Sequence, residues 1–244
     1  MLKLIAEHNE EAQGLDAIRQ LPGVMLVDCQ AEDAGALQDA ALLARLEDAL
    51  QRIEADAACR LIVFHGLGLA RGTAAGLPEL RLYGKREQLL QRFRELAPPS
   101  VALVDGVCSG IHFEIALGAD ACLASERSSF AVPELAQGHL PGMGVFRLAR
   151  QIGLRQARRL LLLNGVVDAY TALAQGLADT VCPAASFAQQ VAAIAAHTAS
   201  NSMVATQLGR RLLEESYASA YEDSVGHFLA AQHRCYARLP GAAQ

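Results

Sequence analysis

The chain has 244 residues, 52% of them hydrophobic and 19% charged, with a formal net charge of -5. That much apolar material builds a sizeable core and excludes disorder as a description of the whole chain. The mildly acidic balance argues against a general binder of nucleic acid or anionic membranes, although a few local Lys or Arg residues suffice to hold a charged ligand.

The N-terminal stretch MLKLIAEHNEEAQG lacks the long apolar run of a signal peptide, and no later apolar stretch is long or clean enough to span a bilayer. A cytoplasmic location is therefore expected. Val24–Cys29, Leu61–His65 and Val101–Val104 are short and apolar, and are bounded by Gly, Pro or charge, as buried strands are. Between them, Ala40–Ala55 sets Leu43, Leu46, Leu50 and Ile53 at helical spacing. Tyr83–Leu96 is a second, more basic helix, ended by Pro98-Pro99. Strands alternating with helices predict crossovers and a parallel sheet. After that, Ser186–His197, Met203–Tyr217 and Tyr221–Leu239 follow one another with no strand between them. An α/β core over 1–185 with a helical extension over 186–244 is the simplest organisation. The six cysteines (Cys29, Cys59, Cys108, Cys122, Cys182, Cys235) show neither CxxC nor Cys/His ligand spacing, which reads as free thiols in a reducing compartment.

The chemistry concentrates in Pro98–Gly153. The strand VALV turns at Asp105-Gly106, and Ser109-Gly110 leads into an apolar helix from Ile111 to Gly118. A strand feeding a Gly-marked helix start presents unpaired amides and the positive end of the helix dipole, a place for an anion or a developing oxyanion. Glu114 lies in the first turn of that helix among Phe113, Ile115, Ala116 and Leu117. It is either a dipole-favoured residue or a partly buried acid tuned for proton transfer. Glu134, in FAVPELAQGHLPGMG, sits in a Gly/Pro-dense segment with apolar neighbours. Two carboxylates do not by themselves identify a reaction.

The order of SGIHFEIALGAD, FAVPELAQGHLPGMG, the upstream LIVFHGLGLARGTAAGLPEL and the downstream GLRQARRLLLLNGVVDAYTALAQGLADTV resembles the crotonase, or enoyl-CoA hydratase/isomerase, superfamily. The resemblance is strong over Leu61–Cys182 and looser elsewhere. It implies a ββα-spiral α/β core with a C-terminal helical layer that packs homotrimers or dimers of trimers. The implied substrate is an acyl thioester, carried by CoA or a carrier protein, with no metal or redox cofactor. Carried over by position, the amides of Ala75 and Ile111, with Gly110 beside them, would receive the thioester oxygen. Glu114 and Glu134 would act on water, and the backbone of Gly142 would help to place it. Hydration or dehydration is the leading expectation. Isomerisation by one acid and a non-catalytic role beside a synthase are the alternatives. PGMGVFRLARQIG and EDSVGHFLAAQHRCYARL are further similar to hydratase-like subunits of the dihydroxyphenylacetyl-CoA polyketide pathway, some of which are auxiliaries.

The chain departs from the family pattern where a triple glycine is usual, reading Gly110-Ile111-His112. The β-branched side chain of Ile111 is expected to narrow the thioester's approach. His112 is either a capped or solvated histidine or an added polar group beside the acyl pocket, titrating near neutrality. Ala74-Ala75-Gly76 replaces a usual Gly-Ala-Asp, which puts the adenine-side contacts in doubt. His139 is either a surface residue or reaches the pocket through the loop from Gly138 to Gly144.

Overall fold

A computed structural model describes residues 13–30, 40–68, 80–215 and 221–238. The predicted strands form β1 (Val24–Asp28), β2 (Leu61–Leu67) and β3 (Ser100–Val104), and they pair in parallel. Two further parallel strands, β5 (Ala121–Ser125) and β8 (Thr180–Cys182), complete a five-stranded sheet in the order β1-β2-β3-β5-β8. A second, three-stranded sheet joins β4 (Val107–Cys108), β6 (Ser129–Ala131) and β7 (Val166–Asp168), with the β6–β7 pair antiparallel.

The large sheet is buried on both faces, which is why its strands read as continuous apolar runs. Along β2 and β3, Ile62, Phe64, Ala102 and Val104 enter the main core cluster, while Leu61, Val63, Val101 and Leu103 enter a second one. That alternation is the two-residue period of a strand. The main face is covered by α2 (Ala40–Ala55), α3 (Leu80–Glu95) and α4 (Gly110–Gly118). On the other face lie Ile18 of the short helix α1 (residues 13–19) and Phe187 and Val191 of α7 (Phe187–Thr198). The expected boundary after residue 185 thus falls just ahead of a helix that seals the central sheet.

α5 (Gly144–Leu162) breaks at Gly153, whose φ of 78° suits a residue without Cβ. α6 (Ala169–Gln175) is capped by Asp168, whose carboxylate accepts the Thr171 N–H at 2.8 Å. The chain closes with α8 (Met203–Glu215) and α9 (Tyr221–Tyr236), packed on each other. Arg210 of α8 donates to the carbonyls of Leu96 (2.6 Å) and Pro98 (2.9 Å) and pairs with Asp120, so α8 is bolted to the corner between α3 and β3. Among the described residues no helix is long and apolar enough to cross a membrane.

Candidate active site

The β3 strand delivers the chain to α4 through Gly106, at a φ of 107°, and the two-residue β4. Ser109 occupies the N-cap position in extended geometry, yet its hydroxyl makes no capping bond and is buried without a partner. From Ile111 to Leu117 every residue of α4 is buried, so this helix has no wet face on which to place Glu114. Of the two sequence readings of Glu114, the buried acid is the one realised.

Glu114 is 1% exposed. One carboxylate oxygen accepts the Gly144 N–H at 2.7 Å, and the other pairs with Arg147 at 3.0 Å. Burial pushes its pKa up, with the neighbouring charge of Glu87 adding to the rise. Arg86, Arg147 and the Gly144 amide pull the other way, and the balance lies at about 7. Desolvation outweighs an ion pair here because both partners are out of water.

Glu134 belongs to a single 3-10 turn, Pro133–Leu135, at the start of the Gly/Pro-dense segment. It too is buried, and burial raises its pKa against the opposing pull of its own amide, His139, Arg86 and the Gly110 amide. The carboxyl of Glu134 therefore lies at the amino end of α4. Its Oε2 is buried with no hydrogen-bond partner.

The third side of the site is α3, which sequence reading left unassigned. Tyr83 and Arg86, or Tyr83 and Glu87, stand one helical turn apart and face inward. The Arg86 guanidinium lies 4.4 Å from the centre of the Tyr83 ring and 3.4 Å from Glu87 Oε1. Its charge acts on both Glu114 and Glu134. The Tyr83 hydroxyl meets His139 Nδ1 at 2.7 Å and donates to the Leu140 carbonyl at 3.1 Å, tying α3 to the segment that carries Glu134. His139 thus stands on the rim of the site. Arg86 Nε, Glu87 Oε2, Ser109 Oγ and Glu134 Oε2 are the buried side-chain polar atoms left without a hydrogen-bond partner among the described residues, and all four belong to this cluster. Buried polar atoms are seldom left unpaired in structural interiors, so their concentration marks a functional site.

Two glycines shape the wall. Gly142 has a φ of 71°, and a Cβ there would collide with Glu87 Oε1 and the Arg86 guanidinium. At Gly144 a Cβ would drive into the Glu114 carboxylate. Gly142 was expected from sequence; Gly144, which supplies the amide that holds Glu114, was not. Arg147 lay unassigned in PGMGVFRLAR. Tyr83, Arg86 and Glu87 carried a signal in their shared helix face with Leu90.

The two residues in place of the family's glycines behave differently from expectation. Ile111 is 1% exposed and packs in the main core cluster, so its side chain is taken up by the interior rather than by the approach to the amides. His112 is fully buried, neither a solvated cap nor a group titrating near neutrality. Burial holds its pKa down at about 4, and both ring nitrogens are engaged. Gly110 has a φ of 59° and opens α4. Ala74, Ala75 and Gly76 lie outside the described residues.

Two buried carboxyls of raised pKa, set at the amino end of a helix, have the chemistry to move protons beside a developing negative charge. The family comparison agrees with this class. The Enoyl-CoA hydratase/isomerase family model matches residues 23–239. A curated enoyl-CoA hydratase of Amycolatopsis orientalis is 30% identical over 188 residues, covering 77% of this chain and 85% of the relative. The 2,3-dehydroadipyl-CoA hydratase of Escherichia coli (strain K12) is 28% identical over 190 residues, covering 75% of this chain and 74% of the relative. The crystal structure of an enoyl-CoA hydratase from Bacillus anthracis shares the fold, with a TM-score of 0.78 at 22% identity over 88% of this chain and 87% of that one. The chain belongs to the enoyl-CoA hydratase/isomerase family and has the crotonase fold.

Proposed function

We propose that this protein adds water to, or removes it from, an acyl thioester carried by CoA or by a carrier protein. The observation that carries the reading is the pair of buried, differently held glutamates at the amino end of α4. In this reading the Ile111 amide, with Gly110 beside it and a second donor from Ala75, receives the thioester oxygen as the α-carbon takes on enolate character. Loss of one such donor costs about 3 kcal/mol of transition-state stabilisation. Glu114, held by Gly144 and Arg147, directs the water, and Glu134 exchanges the proton at the α-carbon through its unpartnered oxygen. No metal or redox cofactor enters. Purified protein should hydrate crotonyl-CoA with incorporation of solvent oxygen from heavy-oxygen water. Full activity in a Glu114→Gln, Glu134→Gln double variant would sink the two-acid mechanism.

One observation favours a second reading. Both oxygens of Glu114 are occupied, which leaves Glu134 as the acid with a free oxygen and suits an isomerase that needs only one. Isomerisation incorporates no solvent oxygen, so the same labelling experiment separates the two. The exposed apolar residues Val225, Phe228 and Leu229 on α9, 43%, 51% and 51% accessible, support assembly as a homotrimer or dimer of trimers. They also keep open an auxiliary role beside a synthase, in line with the likeness to polyketide-pathway subunits. The six free thiols are in keeping with a cytoplasmic protein.

A further inference from the structure

His112 stands where the family pattern has glycine, and no step of the proposed chemistry uses it. Its position in the fold is specific. Cys29 is the first residue beyond β1, and Gly68 is the first beyond β2; these strands are parallel neighbours whose ends point the same way. The Gly68 N–H donates to His112 Nδ1 at 3.0 Å, and His112 Nε2 lies 2.7 Å from the Cys29 carbonyl oxygen. The amide can only donate and the carbonyl can only accept. The ring must therefore be neutral, with its proton on Nε2. One imidazole on the first turn of α4 thus pairs a backbone group at the exit of each strand.

Gly68 has little freedom to move away. Its φ is 125°, and a Cβ there would strike the Asp105 carbonyl, so its backbone already runs against the turn that follows β3. The Asp105 N–H in turn donates to Leu67 at 2.7 Å. The chain leaving β2 is therefore gripped from two sides, by the β3 turn and by α4. A glycine at 112 would leave the Gly68 amide and the Cys29 carbonyl without these partners and an imidazole-sized void in a buried place, a combination that native interiors avoid.

We infer that His112 is a positioning residue: through its bonds to Gly68 and Cys29 it fixes the segment leaving β2 against the amino end of α4, and so holds in place the helix start whose Ile111 amide receives the thioester oxygen in the proposed function. The inference rests on the proposed thioester chemistry for its catalytic consequence, but not for the clasp itself. It also accounts for the missing glycine at 112. The side chain at 112 turns inward, where it replaces a glycine's backbone flexibility with a cross-link.

The test compares His112→Leu, which fills the volume and pairs neither group, with His112→Gln, which offers an amide donor and an acceptor. Crotonyl-CoA hydration and hydrogen exchange of the peptide spanning Gly68 are measured on both variants and the parent. In His112→Leu, kcat is expected to fall 10- to 100-fold with KM changed less than 3-fold, and the Gly68 amide to exchange at least 10-fold faster. His112→Gln should recover most of both. If His112→Leu does not fold, His112→Asn, which keeps an acceptor near Gly68 and loses reach to Cys29, takes its place. Unchanged exchange at Gly68, or an equal loss in His112→Leu and His112→Gln, overturns the inference. A parent protein that hydrates no thioester, while exchange at Gly68 still rises in His112→Leu, overturns the proposed function and leaves the clasp standing.

Discussion

Glu114 and Glu134 are both buried acids of raised pKa, yet the chain holds them by opposite means. Glu114 is carried by a fully buried helix and is gripped on both oxygens by a backbone amide and by Arg147. Glu134 rides on one 3-10 turn in a Gly/Pro-dense segment, and one of its oxygens touches no donor. A rigidly bonded carboxylate keeps its orientation through a reaction cycle. A carboxyl with a free oxygen is able to take up and release a proton at a carbon. The contrast teaches that similar pKa directions, produced by the same burial, suit different roles once hydrogen bonding differs.

The most severe way to break the contrast is to remove either acid. Glu114→Gln and Glu134→Gln should each lower kcat for crotonyl-CoA hydration by about 10²- to 10⁴-fold. The double variant should be little worse than either, because in the proposed mechanism the two act as a unit. Gly144→Ala comes next, since its Cβ forces the Glu114 carboxylate off its amide. Overpacking of this kind costs about 1–3 kcal/mol, readable by chemical denaturation, and activity should fall with it. Arg147→Gln removes one of the two cations, with Arg86, that favour ionised Glu114. The limb of the pH–rate profile that needs this carboxylate ionised should then move above pH 7, with a loss of about 10-fold at neutrality and no displacement of the Glu134 limb.

The same acid leaves a mark on stability. A carboxyl near pH 4.5 in the unfolded chain and at about 7 in the native one binds more protons when folded between those values. Native stability should thus decline as pH rises from 4.5 through 7, by up to about 3 kcal/mol, and this decline should be absent in Glu114→Gln. His112 contributes the opposite slope. Its native pKa of about 4 lies below the ordinary 6.5, so its contribution is intact above pH 6.5 and is lost as pH falls toward 4. Unfolding midpoints of Glu114→Gln and His112→Leu across pH 4–8 separate the effects. The mildest change is Tyr83→Phe, which loses the hydroxyl bonds to His139 and Leu140. It should cost about 1 kcal/mol and alter activity only a few-fold.

Much of the fold is legible in the sequence. VMLVDC, LIVFH and VALV announced three adjacent strands because a sheet buried on both faces has no polar positions to interrupt the run. Glu114 and Glu134 stood out as acids in apolar surroundings. The strands β4, β6 and β7 did not, being two or three residues long and too short for a two-residue period to register. Arg147 and Gly144 escaped notice because what singles them out is a contact with Glu114 across the fold, which no local pattern encodes. The role of His112 is hidden in the sequence for a related reason. A histidine at a helix start resembles a solvated cap until both strand exits are found against its ring.

The bolt made by Arg210 has a consequence for the order in which the chain can be completed. Until residue 210 has left the ribosome and α8 has formed, the carbonyls of Leu96 and Pro98 and the carboxylate of Asp120 lack their cation. A sheet formed before then has its α3–β3 corner unlatched, and a protein truncated between α7 and α8 would keep that corner open.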